Sequence, residues 1–363
     1  MGKPLLIGGA PVISLTAQHP PPEGPAFVAA QVLPGRGMML LQARLRLADG
    51  RMVDALFAPP AERAALKLDG GPDDAFGNGA FSFGGALLAP YANRITGHAL
   101  PGERAIAAVV DGRPVRLPMN WGGKAPGARR YAMHGLILDE AFQFSQPRPD
   151  RVRGELAAGD FGGRWPSQAE LEIEWRLDGG GLQLVMRAKN VGREPLPMGL
   201  GWHPYFLLPS GRREQARLRV PAKLRAEVDD YDEVLPTGRL LATAGGPYDF
   251  NAPGGRALGE LYLDDCFTDL VHEGGGVTVE VIDPAARLGL RIRSASPRVK
   301  AVQVYAPPDQ AFVVVEPQFN LADPYSSVWP AGLDTGMARL PPGEQLTYDV
   351  RVEAFTVGNP TIG

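Results

Sequence analysis

The stretch AELEIEWRLDGGGLQLVMRAKN, residues 169–190, decides how the rest of the chain is read. Leu171, Ile173, Trp175 and Leu177 alternate with Glu170, Glu172, Glu174 and Arg176. A period of two places the apolar set on one face of a strand and the charged set on the other. The glycines after Asp178 supply the positive φ that a tight hairpin turn needs, and LQLVMRAKN returns as the partner strand. The same design recurs at LLQARLRLADGRMVDALF (40–57) around Asp49-Gly50, and at VTVEVIDPAARLGLRIRSA (277–295) around Asp283-Pro284. AVQVYAPPDQAFVVVEPQ (301–318) gives two strands around Pro307-Pro308, and EQLTYDVRVEAFTV (344–357) gives a late one. Helical periodicity is scarce; PPAERAALKL (59–68) supports one or two turns. Well over a dozen strands with short connections predict an all-β fold, a large antiparallel β-sandwich. No linker or change of composition divides the chain, so one domain over residues 1–363 is expected. No fixed-period repeat supports a propeller.

Composition narrows the partners. The 363 residues are 44% hydrophobic, with 46 Gly and 36 Pro, which suits a large core cut by many turns. The formal net charge is −3, and no basic run goes beyond isolated pairs such as Arg129-Arg130. Nucleic acid and anionic membrane are therefore not expected partners. One cysteine, Cys266, permits no intrachain disulfide and reads as a buried, inert thiol. The N-terminal MGKPLLIGGAPVISL is too short and broken to span a bilayer, and Leu6 stands where a myristoylation site wants Ser or Thr. A cytoplasmic location is the expectation.

Five segments place ionisable residues beside turns at strand ends. LLAPYANRITGHALPG (87–102) carries Asn93 and Arg94, YAMHGLILDEAF (131–142) carries His134, and GLGWHPYFLLPS (199–210) carries His203. VVVEPQFNLADPYSS (313–327) carries Glu316, and LYLDDCFTDL (261–270) carries Asp264 and Asp265. Each has a plain alternative. Either histidine suits a turn or a satisfied core, Arg94 a surface ion pair, and the two aspartates a strand end. Glu316 is harder to dismiss: it follows Phe312–Val315, three of them β-branched, so a carboxylate sits at the mouth of a buried strand and needs partners or a shifted pKa. Pro204 cannot donate to a ladder, which reads His203 as lying at a strand end. His19, His98 and His272 fall in exposed loops. No HxH or HExxH spacing exists, so no metal is expected.

Taken together, these segments resemble the aldose 1-epimerase (galactose mutarotase) family. YANRI at 91–95, LPMN at 117–120, HG at 134–135, HPYF at 203–206, DDCF at 264–267, EPQ at 316–318 and LPPGEQLTYDV at 340–350 follow the family's order. The resemblance covers roughly residues 80–355; WGGKAPGARRY at 121–131 is longer than the family pattern. It implies a supersandwich of the galactose mutarotase type and interconversion of the α and β anomers of a free aldose without a cofactor. It implies Glu316 as base and His203, as imidazolium, as acid. His134 would bond near the ring oxygen, while Asn93, Arg94 and Asp264, rather than Asp265, would orient hydroxyls. The partner would be a small sugar, and the protein a monomer or homodimer. Of Trp202, Tyr205 and Phe206, at least two are expected in the core. The rivals are a hexose-6-phosphate 1-epimerase using Arg129-Arg130, a non-catalytic carbohydrate-binding module, and a lyase or hydrolase pairing Glu316 with Asp264.

Overall fold

The structure, a computed structural model, describes residues 4–123 and 128–358. The middle of the 121–131 stretch and both extreme ends of the expected 1–363 domain lie outside the described residues. About 49% of the chain is strand and 6% helix, as the alternating pattern predicts. The hairpin at 169–190 forms in the expected register, with Leu171 opposite Ala188 and Trp175 opposite Leu184. Gly179 and Gly180 make its turn at φ 50° and 81°, the left-handed region that favours glycine. The short helix spans Ala61–Lys67. A 3₁₀ stretch, Pro72–Phe81, was not legible, because its glycines and aspartates break any helical period.

Two large antiparallel sheets stack face to face. In one, nine strands run from Gln143–Arg148 through the 169–190 hairpin, Gln345–Thr356 and Leu288–Ser294 to Arg256–Ala257. The other has eleven, and its middle follows the order Leu263–Leu270, Ala301–Ala306, Phe312–Gln318, Gly201–Leu207, Gly85–Leu88. Trp175 from the first and Trp202 from the second meet edge to face, ring centres 5.4 Å apart, inside the main core. Burying such rings dominates core energetics, at roughly 25 cal/mol per Å² of apolar surface removed from water.

The eleven-stranded sheet is buried on both faces near its centre, but the two faces differ in kind. Val302, Val304, Val313, Val315, Trp202 and Phe206 point into the core. Their alternates Gln303, Tyr305, Glu316, His203 and Tyr205 point the other way, into a cavity. Here the sequence reading of the strand ends needs correction. His203 and Glu316 lie inside the strands Gly201–Leu207 and Phe312–Gln318, not at their ends. Pro204 sits in a central strand because the ladder opens around it: Gly201 pairs with Gln318 and Tyr205 with Val314, with no pair between. Pro204 and Pro317 both fall in that interval, where no N–H need be given.

Candidate active site

Counting inward from the paired residues places His203 directly opposite Glu316. Their side chains meet on the cavity face, His203 Nε2 to Glu316 Oε1 3.4 Å, with Glu316 1% exposed and His203 5%. Two segments outside the sheet bring Asn93, Arg94 and His134. Asn93 and His134 both adopt left-handed backbone, φ 60° and 61°, and His134 N donates to the Asn93 carbonyl at 2.8 Å. Such strain in non-glycine residues persists only where the surroundings hold it. Gly135 follows at φ 86°, where a Cβ would lie 2.2 Å from the Ala89 carbonyl oxygen, so glycine is required. Asn120, part of the LPMN motif, brackets the Met133 backbone by donating to its carbonyl and accepting from its N–H. The His134 ring then stands edge-on to His203, centres 4.8 Å apart.

Arg94, Asn93, Gln303 and Asp264 form a closed circuit beside this pair. Arg94 Nη1 donates to Asn93 Oδ1 (2.7 Å), Asn93 Nδ2 to Gln303 Oε1 (3.0 Å), and Gln303 Nε2 to Asp264 Oδ1 (2.6 Å). Asp264 Oδ2 lies 3.9 Å from Arg94 Nη2 and closes the ring. All six residues singled out from the sequence, Asn93, Arg94, His134, His203, Asp264 and Glu316, therefore line one cavity of about 290 Å³. Asp265 does not; its side chain is fully buried against Arg225 and Tyr231.

Burial dominates the electrostatics. It raises Glu316 well above the usual carboxylate range, helped by the Asp264 charge and opposed by Arg94. It pushes His203 down to about 4 and His134 well below the normal imidazole value. Burial thus favours the neutral form of both groups, a protonated Glu316 beside an unprotonated His203. The resemblance implies His203 as the acid in its imidazolium form, a form that burial disfavours before a sugar binds.

Glu316 Oε2, His203 Nδ1 and both nitrogens of His134 have no protein hydrogen-bond partner although buried. Polar atoms left so are costly unless a ligand satisfies them. His134, His203 and Glu316 also place ligand atoms within 4.8 Å of one another, a constellation invisible to local spacing. A metal-bound imidazole normally gives its other N–H to a carboxylate or carbonyl, and neither histidine has that support. Hydroxyl groups suit these atoms better than a cation does.

The sequence profile of the aldose 1-epimerase family matches residues 61–353. The chain belongs to the aldose 1-epimerase family. Three of the solved structures that share the fold show how far the likeness extends. A galactose mutarotase-like protein from Clostridium acetobutylicum aligns at TM-score 0.70 and 18% identity, over 92% of this chain and 93% of its own. An aldose epimerase homologue from C. elegans gives 0.69 and 18%, over 96% and 99%. A galactose 1-epimerase from Lactobacillus acidophilus gives 0.63 and 20%, over 92% of both chains. All six sequence-singled site residues fall inside the span this epimerase profile matches. No helix among the described residues is long and apolar enough to cross a membrane.

Sequence reasoning missed much of the wall. Gln303 carried a signal, a lone amide inside the apolar run AVQVYA, two residues before Tyr305 on the same face. Tyr205 also lines the cavity and donates its hydroxyl to the Phe81 carbonyl, whereas Trp202 and Phe206 lie in the core. Tyr231, Tyr262 and Trp121 come from loops and a two-residue strand, where no periodicity marks them.

Proposed function

We propose that this chain is a mutarotase, interconverting the α and β anomers of a free aldose by acid–base opening and closure of the ring, with the whole chain acting as one domain. The observation that carries the reading is the His203–Glu316 pair, face to face at 3.4 Å on the cavity floor, each with a further unpaired polar atom. Ring opening needs a proton taken from the C1 hydroxyl and one given to the ring oxygen. A pair holding a single proton supplies both. A sugar whose C1 hydroxyl donates to Glu316 favours the carboxylate, and a ring oxygen accepting from His203 favours the imidazolium, so binding draws the proton from Glu316 to His203. Glu316 then removes the C1 hydroxyl proton as His203 delivers its own to the ring oxygen, and the C1–O5 bond breaks to the open aldehyde. Rotation about C1–C2 presents the other face, and the two transfers reverse. The pair ends with the one proton it began with, and no cofactor takes part.

His134 bonds a hydroxyl near the ring oxygen, while Asn93, Arg94 and Asp264 orient the others through charge-assisted hydrogen bonds. A neutral sugar suits the lining better than a sugar phosphate. Arg94 is the one arginine or lysine among the described lining residues, and it already faces Asn93 and Asp264. Arg129 and Arg130 do not line the cavity; Arg129 lies 3.9 Å from Glu233, and Arg130 donates to the Gly123 carbonyl. The cavity, about 290 Å³, stands at the lower end of the roughly 300–1,000 Å³ typical of ligand pockets and suits one monosaccharide. Polarimetry of freshly dissolved α-D-galactose and α-D-glucose, with the 6-phosphates alongside, tests this. Decay no faster than the spontaneous rate for every free sugar would reject it.

A further inference from the structure

The loop 229–235 joins the strands Ala222–Val228 and Pro236–Ala242 and puts Tyr231, Asp232 and Val234 into the cavity lining. Val234 has φ 53°, an unfavourable conformation for a β-branched residue, and its N–H donates to the Asp230 carbonyl within the loop at 2.8 Å. Two further sets of bonds tie the loop to the rest of the fold. On one side Glu233 accepts the Arg129 N–H at 2.7 Å, and its carbonyl accepts the Tyr131 hydroxyl at 3.0 Å. On the other, the Tyr231 hydroxyl donates to both oxygens of Asp265, at 3.0 and 3.1 Å.

Asp265 is itself built in. Its side chain is 0% exposed, Arg225 Nη1 donates to it at 2.8 Å, and the Arg225 guanidinium lies over the Tyr248 ring at 3.8 Å. With its hydroxyl committed to a buried carboxylate, Tyr231 has only its ring to offer the cavity. That ring stands edge to face with Tyr262, centres 5.3 Å apart, and Tyr262 continues toward Tyr305 at 6.3 Å. An aromatic wall thus shares the cavity with polar groups able to bind hydroxyls. A pyranose has the matching pair of surfaces, C–H groups on a face and hydroxyls at the rim.

We propose that Tyr231 is a specificity-determining contact for the C–H face of the sugar, and that Asp265 is its positioning residue, acting on the sugar only through the Tyr231 hydroxyl. This rests on the mutarotase reading of the site. It gives Asp265 a task separate from Asp264, its neighbour in the sequence.

The test is a KM-against-kcat split in Tyr231→Phe, Asp265→Asn and the double variant, on α-D-galactose. Removing one charge-assisted hydrogen bond to a buried carboxylate should raise KM on the order of 10-fold and leave kcat within about twofold. The double variant should be no worse than the more affected single one. Hydrogen exchange over residues 229–235 should quicken in each. Asp265→Asn also leaves Arg225 without its partner and carries a folding risk; Tyr231→Phe leaves that ion pair intact and decides alone. An unchanged KM in Tyr231→Phe, or single effects that multiply in the double variant, overturns the proposal. If the wild-type protein shows no mutarotation, the functional reading fails, and calorimetric binding of D-galactose decides this one. Weaker binding in Tyr231→Phe than in wild type supports it; equal binding, or none to either, overturns it.

Discussion

Replacing Glu316 by Gln and His203 by Asn, singly and together, reads the proposed proton relay most directly. Glu316→Gln keeps the shape of the side chain, and since burial already holds this carboxyl toward its neutral form, the change should leave the fold intact. His203→Asn keeps one polar group and removes the proton carrier. General acid–base catalysis contributes about 10²–10⁴-fold in typical enzymes. Here the two groups are 1% and 5% exposed, so bulk water has little access to take over a lost transfer. That places each single loss at the upper end, on the order of 10³–10⁴-fold in kcat, or about 4–5.5 kcal/mol of barrier. Independent groups would then combine to roughly 10⁶–10⁸-fold in the double variant. A relay that shares one proton over 3.4 Å should instead lose little more than the worse single change. Optical rotation of α-D-galactose follows the rate, and calorimetry follows binding, which Asn93, Arg94, Asp264 and His134 should preserve. Near-normal turnover in Glu316→Gln, or multiplying losses in the double variant, would refute the relay. A loss confined to KM would make Glu316 a sugar-holding group only.

Three further outcomes are expected. The profile of kcat/KM against pH should hold through neutrality and fall on the acid side near pH 4, where His203 gains a second proton for the pair; its alkaline fall should lie well above the usual carboxylate range, where Glu316 surrenders the only one. An acid limb near the unperturbed histidine value, about 6.5, would contradict this. Extensive chelation should leave mutarotation unchanged, because neither histidine has the supporting acceptor that a metal ligand normally has; activity lost to a chelator and restored by a divalent ion would disprove it. Gly135→Ala should destabilise the protein by about 2 kcal/mol or more, through a Cβ set 2.2 Å from the Ala89 carbonyl oxygen at a φ of 86°, and an unchanged denaturant midpoint would count against the described turn.

The fold was legible because its hairpins alternate cleanly and turn on glycine, aspartate or proline, as at 169–190. Glu316 stood out because a carboxylate after four buried apolar residues has no other comfortable explanation. His203 was found but misplaced: Pro204 reads as a strand terminus under a rule about single strands, whereas the opening of the ladder is a property of two strands and shows only once they are paired. The shift of its pKa was not legible for a related reason, since burial depends on what packs above the sheet. Asp264 and Asp265 could not be separated by local pattern; the resemblance points to Asp264, and Asp264 is the one that lines the cavity. Tyr231 and Tyr262 sit in irregular segments, and the bond of Tyr231 to Asp265 spans 34 positions, so no periodicity announced either ring.

The two prolines in the centre of the sheet also act as registration marks. A proline fits in a ladder only where no N–H is required, so the strands Gly201–Leu207 and Phe312–Gln318 meet without penalty in the alignment that brings Pro204 and Pro317 into the unpaired interval. Sliding either strand by one residue would turn His203 or Glu316 toward the hydrophobic core and set a proline where a donor is needed. Alternative pairings are thus disfavoured twice at the point where the imidazole and carboxylate must face each other. The alignment of the reacting groups is enforced by backbone bonds that the sequence has made impossible, rather than by contacts the side chains make with one another.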